Sequence, residues 1–173
     1  MDDRVDSEGG RADNLSVLEH TLDGLLEWIS RFDNKASILL GLDTAMLGFM
    51  VASSPTLDEW TLSAAVSGVL AGAALSTAIV ATLLANLPRT RAPAPSLLFF
   101  GTIAALDEND YIHQVTTQTP PQRQQDLARQ CHRNAVILTT KFRSLQVAYW
   151  ATLIALIPWA ATILLFRILT PGT

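Results

Sequence analysis

The stretch that decides the fold is TLSAAVSGVLAGAALSTAIVATLLANL, residues 61–87, which contains no charged side chain. A helix of roughly 25 residues, at a rise of about 1.5 Å per residue, is longer than the ~30 Å hydrocarbon core of a bilayer. Pro88 follows directly and is expected to end the helix, because its ring fixes the backbone and its nitrogen carries no hydrogen. The stretch therefore predicts a transmembrane helix.

Two further apolar stretches predict membrane helices. Residues 147–166 contain no charge, and Tyr149 and Trp150 lie at their start, where amphipathic rings favour the membrane interface. Residues 36–52 are shorter and contain Asp43. Because an ionised carboxylate exposed to lipid is costly, Asp43 is predicted to be protonated, paired or turned to a polar interior, where it can line a conduit.

The composition agrees with a membrane protein. Of the 173 residues, 49% are hydrophobic and 16% are charged, below the ~25% charged residues of soluble domains. The net charge of -4 does not indicate a nucleic-acid polymer as partner. Cys131 is the only cysteine, which excludes an intramolecular disulfide and a cysteine-based metal site. No nucleophile, Walker or paired-carboxylate motif is present, so we expect neither an enzyme nor a catalytic cofactor or metal.

The segments outside the spans are predicted to be helical. Leucines at helical spacing predict an amphipathic helix over residues 14–35 that continues into the first span. Residues 88–146 contain a Pro-rich linker, a short apolar helix from Leu97 to Leu106 and a helix that begins after Thr119 and continues into the last span. The fold class is therefore all-α, with three transmembrane helices and a helical region formed by membrane-proximal helix extensions.

The placement of charge predicts the orientation. The turn at residues 53–60 contains two acidic residues and no Lys or Arg, whereas residues 88–146 are rich in basic side chains. The positive-inside tendency places the N-terminus and residues 88–146 in the cytoplasm, and the turn and the tail at 167–173 outside. Residues 1–13 are predicted to form a disordered acidic tail.

A polar stripe interrupts the helix that precedes the last span. One helix face contains both apolar and polar residues, namely Leu127, Gln130, Asn134, Ile137, Lys141 and Leu145. Burying an unpaired polar group costs about 1–3 kcal/mol, so the polar members either pair with a neighbouring helix or line a polar ligand site. A partly exposed stripe near the membrane is the alternative.

Two other groups of residues have both a structural and a functional interpretation. Arg31 and Lys35 lie one turn apart before the first span and could bind a phosphate, although their position alone favours interfacial anchoring. Phe99 and Phe100 precede Gly101 in a short helix, where they either pack in the core or offer a stacking surface for a base.

The second span contains a repeat of small residues. Gly68, Gly72 and Ser76 recur every four residues and predict a ridge that another helix can approach closely. The ridge favours helix packing within the chain or between chains.

These residues, taken in order along the chain, resemble PycTM, the transmembrane effector family of Pycsar antiphage defence in bacteria. The resemblance extends from about Leu26 to Leu165. The residues that carry it are Arg31-x-Asp33-x-Lys35-Ala36, Phe99-Phe100-Gly101, Tyr111, Gln130, Asn134, Ile137 and Lys141.

The resemblance implies a function. In that family a partner cyclase responds to phage infection by making a cyclic pyrimidine nucleotide, cUMP or cCMP, and the effector that binds it impairs the inner membrane, causing abortive infection. The cytoplasmic helices would then form the sensor region. Because several sites in one assembly sharpen a response, we expect a homo-oligomer in the lipid bilayer of the inner membrane.

A cyclic mononucleotide presents a phosphate, a ribose hydroxyl and a flat base, which require cations, amides and an aromatic face. The ligand-site hypothesis uses the residues that carry the resemblance. It assigns phosphate binding to Arg31, Lys35 and Lys141, contacts with base or ribose to Gln130 and Asn134, and packing on the base to Phe99 or Tyr111. The competing hypothesis is a membrane scaffold or subunit whose polar stripe packs against a partner and binds no small ligand.

Overall fold

The computed structural model describes residues 3–87 and 96–169, with side chains described from residue 13 onward. Over these residues the chain is predominantly helical and contains no strand, which confirms the all-α prediction. The described α-helices are α1 (Asp3–Ala52), α2 (Leu62–Asn86), α3 (Phe100–Ile103), α4 (Glu108–Thr117) and α5 (Pro120–Leu169). A 3-10 helix, Leu57–Glu59, lies in the turn between α1 and α2.

The first and last helices are unbroken over 50 residues each. In α1 the amphipathic segment and the first span form one helix, as the sequence predicts. The helix begins at Asp3, inside the segment that the sequence assigns to a disordered tail. In α5 the helix continues into the last span and passes Pro158, which lies within that span, without a break.

The predicted start of α5 is confirmed. The Gln122 side-chain oxygen accepts hydrogen bonds from the Thr119 amide and from the Thr119 hydroxyl, both at 2.8 Å. Pro120, at the first helical position, has no amide hydrogen that would need a partner there. Thr119, Pro120 and Gln122 therefore fix where the helix begins.

Three helices are long and apolar enough to cross a membrane, which confirms the three predicted spans. Their apolar side chains remain largely exposed, with Leu62 82% and Ile157 81% accessible. Apolar surface that no protein group covers is suited to contact with lipid. The chain is an integral membrane protein.

The segment around α3 is less helical than predicted. The sequence favours a helix from Leu97 to Leu106, whereas α3 has only the four residues from Phe100 to Ile103. Phe99 has an extended backbone, with φ −94° and ψ 121°, so the helix cannot include it or the residues before it. The Pro-rich linker before this segment lies outside the described residues.

The chain forms two compact units, which we name the polar unit and the membrane unit. Among the described residues, the polar unit comprises residues 3–30 and 96–139, and the membrane unit comprises residues 31–87 and 140–169. Helices α1 and α5 each contribute residues to both units.

In the membrane unit, α2 packs through a ridge of mostly small residues. The buried residues alternate at spacings of three and four, and they are Ala64, Gly68, Ala71, Leu75, Ala78, Thr82 and Ala85. A Cβ atom on Gly68 would lie 3.7 Å from both Thr162 and Trp60, and one on Gly72 would lie 3.7 Å from Met50. Small residues thus let α2 approach its neighbours closely.

Ser76 does not join this ridge, although it shares the four-residue spacing of Gly68 and Gly72. Its side chain is exposed. Ser76 lies eight residues after Gly68, where the helix has turned about 80° beyond two full turns. Leu75 lies seven residues after Gly68, only about 20° short of two full turns. The ridge therefore continues through Leu75.

Replacing Gly68 with leucine is expected to destabilise the membrane unit by about 1–3 kcal/mol, because the larger side chain must fit against Thr162 and Trp60. Gly68→Ala should be tolerated, since 3.7 Å is an ordinary van der Waals distance. Thermal unfolding of the detergent-solubilised protein measures the difference. The matched control is Gly41→Leu, because an added Cβ there meets nothing within 4 Å. Equal unfolding temperatures for the two leucine variants would contradict the packing described.

Candidate functional site

Lys141, on α5 in the membrane unit, is held by an ion pair with Asp33 on α1. Its ammonium group binds Asp33 Oδ1 and lies 5.3 Å from the centroid of the Phe32 ring. The Lys141 side chain is only 12% exposed, whereas that of Asp33 is 45% exposed. Phe32 is buried and meets the edge of Phe142 at a centroid distance of 5.6 Å. Lys141 is thus partnered by a carboxylate and an aromatic face.

The three cations assigned to phosphate binding, Arg31, Lys35 and Lys141, all belong to the membrane unit. Arg31 and Lys35 are exposed on α1. The Lys141 ammonium group is paired with the Asp33 carboxylate. A phosphate bound there would compete with that carboxylate for the ammonium charge.

Asp43 is fully buried and lies within the first span. Its Oδ1 accepts a hydrogen bond of 2.9 Å from the Thr152 hydroxyl on α5, while Oδ2 has no hydrogen-bond partner among the described residues. The carboxyl group therefore lies between α1 and α5 and does not face lipid. This is one of the arrangements predicted for an acidic residue within a membrane span.

A third polar contact joins the same two helices. The Trp159 indole nitrogen on α5 donates a hydrogen bond of 2.9 Å to the carbonyl oxygen of Met46 on α1. Together with Lys141–Asp33 and Thr152–Asp43 it forms a set that we call the α1–α5 polar contacts. In α5 the three residues Lys141, Thr152 and Trp159 are 11 and 7 residues apart. The contacts therefore fix the pairing of α1 and α5 over several helical turns.

The ion pair is expected to stabilise the membrane unit modestly, since Asp33 is half exposed. Asp33→Asn and Lys141→Met, which keep the shape of each side chain, should each cost about 1 kcal/mol and lower the thermal unfolding temperature by a few degrees. The double variant should lose less than the sum of the two. Asp23→Asn, an exposed aspartate of the same helix, is the matched control. Strict additivity would show that the pair does not stabilise the fold.

Thr152→Val should be destabilising by about 0.5–2 kcal/mol, because both oxygens of the buried Asp43 carboxyl would then lack a donor. The control is Thr44→Val, since the exposed Thr44 hydroxyl bonds only the Leu40 carbonyl of its own helix. Thermal unfolding in detergent compares the two valine variants. An effect no larger than that of Thr44→Val would contradict a stabilising role for the contact.

In the polar unit, α5 anchors the residues that precede α3. The Gln130 amide nitrogen donates a hydrogen bond of 2.8 Å to the Ser96 hydroxyl oxygen, and both side chains are buried. One turn earlier, Asp126 Oδ2 accepts a hydrogen bond of 3.0 Å from the Leu97 amide. The Gln130 amide therefore has a structural partner, which the sequence does not reveal.

The polar stripe of α5 is partly buried along its whole length. Leu127, Gln130 and Leu145 are buried, and Asn134, Ile137 and Lys141 are half-buried. Of the polar members, Gln130 and Lys141 pair with residues of other segments, as one of the two predicted alternatives requires.

The two predicted stacking residues lie in the polar unit. The Phe99 ring is 4.7 Å from that of Phe100 and covers Gly101, where an added Cβ would lie only 2.6 Å from Phe99. Gly101 is thus needed for this packing. Tyr111 is half-buried on α4. Within the described chain, no hydrogen bond or ring contact links Phe99, Tyr111 and Asn134 to one another.

In the polar unit, α5 contacts α1 through an ion pair and through a buried thiol. Arg123 forms an ion pair of 2.7 Å with Glu19, and the Cys131 thiol contacts the Leu18 carbonyl oxygen at 3.5 Å. Burial raises the pKa of the Cys131 thiol above its usual value, so the thiol stays protonated at neutral pH. Among the described residues, no group of three or more His, Cys, Asp or Glu side chains could hold a metal ion.

These features define an all-helical integral membrane protein with three spans and a polar helical unit. The family model PycTM, described as the Pycsar effector protein domain, matches residues 17–168, so the chain belongs to the PycTM family. The match confirms the resemblance noted in the sequence and gives the chain a Pycsar effector role in antiphage defence. No curated protein and no solved structure matched the chain.

Proposed function

We propose that this effector binds a cyclic pyrimidine nucleotide, cUMP or cCMP, supplied by a partner cyclase, and then impairs the integrity of the bacterial inner membrane, causing abortive infection. The main support is the family match, which extends over residues 17–168 and so includes most of both units. The effector acts in this proposal through binding and not through catalysis.

The proposed orientation places the N-terminus and residues 88–146 in the cytoplasm, where a nucleotide made by a cyclase is available. It is supported by the acidic turn around Asp58 and Glu59, which contains no Lys or Arg, and by the basic side chains of residues 88–146. The described part of that segment belongs to the polar unit up to Thr139, so the polar unit is the proposed sensor.

The proposed response uses the continuity of α1 and α5. Each helix contributes to the polar unit and to the membrane unit without a break. A ligand that binds one arrangement of these helices more tightly than another shifts the population towards it, in proportion to the difference in affinity. The shift would change the pairing that the α1–α5 polar contacts hold, and several sites in a homo-oligomer would sharpen it.

A membrane scaffold that binds no small ligand is the second candidate. It is favoured by one observation, namely that Gln130 and Lys141 of the polar stripe already have partners within the chain. A scaffold requires no free polar groups for a nucleotide. The two candidates differ in whether the purified protein binds cUMP or cCMP.

Binding is expected to raise the thermal unfolding temperature of the detergent-solubilised protein, because a ligand that binds only the folded state stabilises it. At a concentration 100-fold above the dissociation constant, the gain is about 2.7 kcal/mol. Scanning fluorimetry with cUMP, cCMP and the cyclic purine nucleotides measures it. Stabilisation by a pyrimidine and not by the purines is the expected result. The absence of any nucleotide-dependent shift would favour the scaffold.

A further inference from the structure

The polar unit contains an open pocket of about 420 Å³. This volume falls within the ~300–1,000 Å³ of small-molecule sites. Side chains from three parts of the chain line this pocket. Leu97 comes from the segment before α3, and Gln114 and Gln118 come from α4 and its C-terminal cap. Gln125, Asp126 and Arg129 come from the first turns of α5. All of them belong to one unit.

Hydrogen bonds fix the walls of this pocket. Asp126 accepts from the Leu97 amide at 3.0 Å, and the buried Gln130–Ser96 bond of 2.8 Å secures the preceding residue. The turn between α4 and α5 is held by the two hydrogen bonds from Thr119 to Gln122. Hydrogen bonds therefore hold the segment before α3 against α5 and fix the turn that leads from α4 into α5.

The side chains that line the pocket remain available for a ligand. Arg129 has no ion pair and no hydrogen bond among the described residues, unlike Lys141, which Asp33 neutralises. The side chains of Gln114, Gln118 and Gln125 also form no hydrogen bond within the described chain. Four polar side chains thus line one cavity without a hydrogen-bond partner in the part of the chain that the structure describes.

Their chemistry matches the parts of a cyclic pyrimidine nucleotide. A guanidinium fork suits the single anionic phosphate. A glutamine carboxamide offers one acceptor and one donor group, which complement the neighbouring donors and acceptors along the edge of a uracil or cytosine. The second oxygen of Asp126 can accept a hydrogen bond from the ribose hydroxyl, and Leu97 supplies an apolar wall for the base.

We propose that this pocket is the binding site for the cyclic pyrimidine nucleotide, with Arg129 on the phosphate, the glutamines on the base and Asp126 on the ribose. The assignment rests on the proposed function and replaces the sequence-based assignment of phosphate to Arg31, Lys35 and Lys141. Gln130 becomes a positioning residue, because it holds Ser96 and touches the pocket only through that segment.

Calorimetric titration of the full chain in lipid nanodiscs with cUMP and with cCMP tests the assignment. Arg129→Gln should weaken binding about tenfold or more, because it removes a charge-assisted contact. Gln118→Leu should weaken binding and change the ratio of the cUMP and cCMP affinities, since the two bases differ in donors and acceptors. Neither variant removes an internal hydrogen bond, so their unfolding temperatures should stay near that of the wild type. The matched control is Arg143→Gln, an exposed arginine of the same helix, which should bind normally.

The outcomes separate the site from the function. Wild-type binding that persists in both Arg129→Gln and Gln118→Leu would overturn the site assignment alone. Loss of binding in Lys35→Gln with normal binding in Arg129→Gln would move the site to the membrane unit and also overturn it. A wild-type chain that binds neither nucleotide would overturn the proposed function and the site together.

Discussion

Inside a bilayer a polar group on a helix has no water to bind, and the membrane unit depends on how α1 and α5 meet this constraint. Within the spans, the buried Asp43 carboxyl accepts a hydrogen bond from Thr152 and the Met46 carbonyl accepts one from Trp159. Just before the spans, Asp33 pairs with Lys141. Lipid chains are as apolar as the side chains that face them, so hydrophobic burial contributes little to the association of the spans. Polar pairing and the small-residue ridge of α2 therefore take that role.

Pairing within the chain also distinguishes the structural polar residues of this protein from those that can bind a ligand. In the sequence, Lys141 and Gln130 are candidates for a ligand site. In the structure, each has a partner from another segment of the chain. Arg129 lies one residue before Gln130 on a different face of α5, lines the pocket of the polar unit and has no such partner among the described residues. The two kinds of residue are distinguished by their contacts and not by their type.

Much of the fold could be predicted because it follows from local pattern. Uncharged stretches of sufficient length indicate the spans, and Thr119 and Pro120 mark the start of α5 by local hydrogen bonding. The polar pairs could not be predicted, since Asp33 and Lys141 are 108 residues apart and their meeting depends on the register between two helices. The four-residue repeat predicts Ser76 in the ridge wrongly, because over eight residues the helix face turns away from Gly68.

In the proposed response, binding of a cyclic pyrimidine nucleotide causes the protein to damage the bilayer. Release of a trapped dye from liposomes containing the purified protein measures this most directly. Dye release is expected after addition of cUMP or cCMP, and no release after addition of a cyclic purine nucleotide or without ligand. Liposomes that stay intact while the nucleotide is bound, or that leak equally without it, would contradict the proposed response.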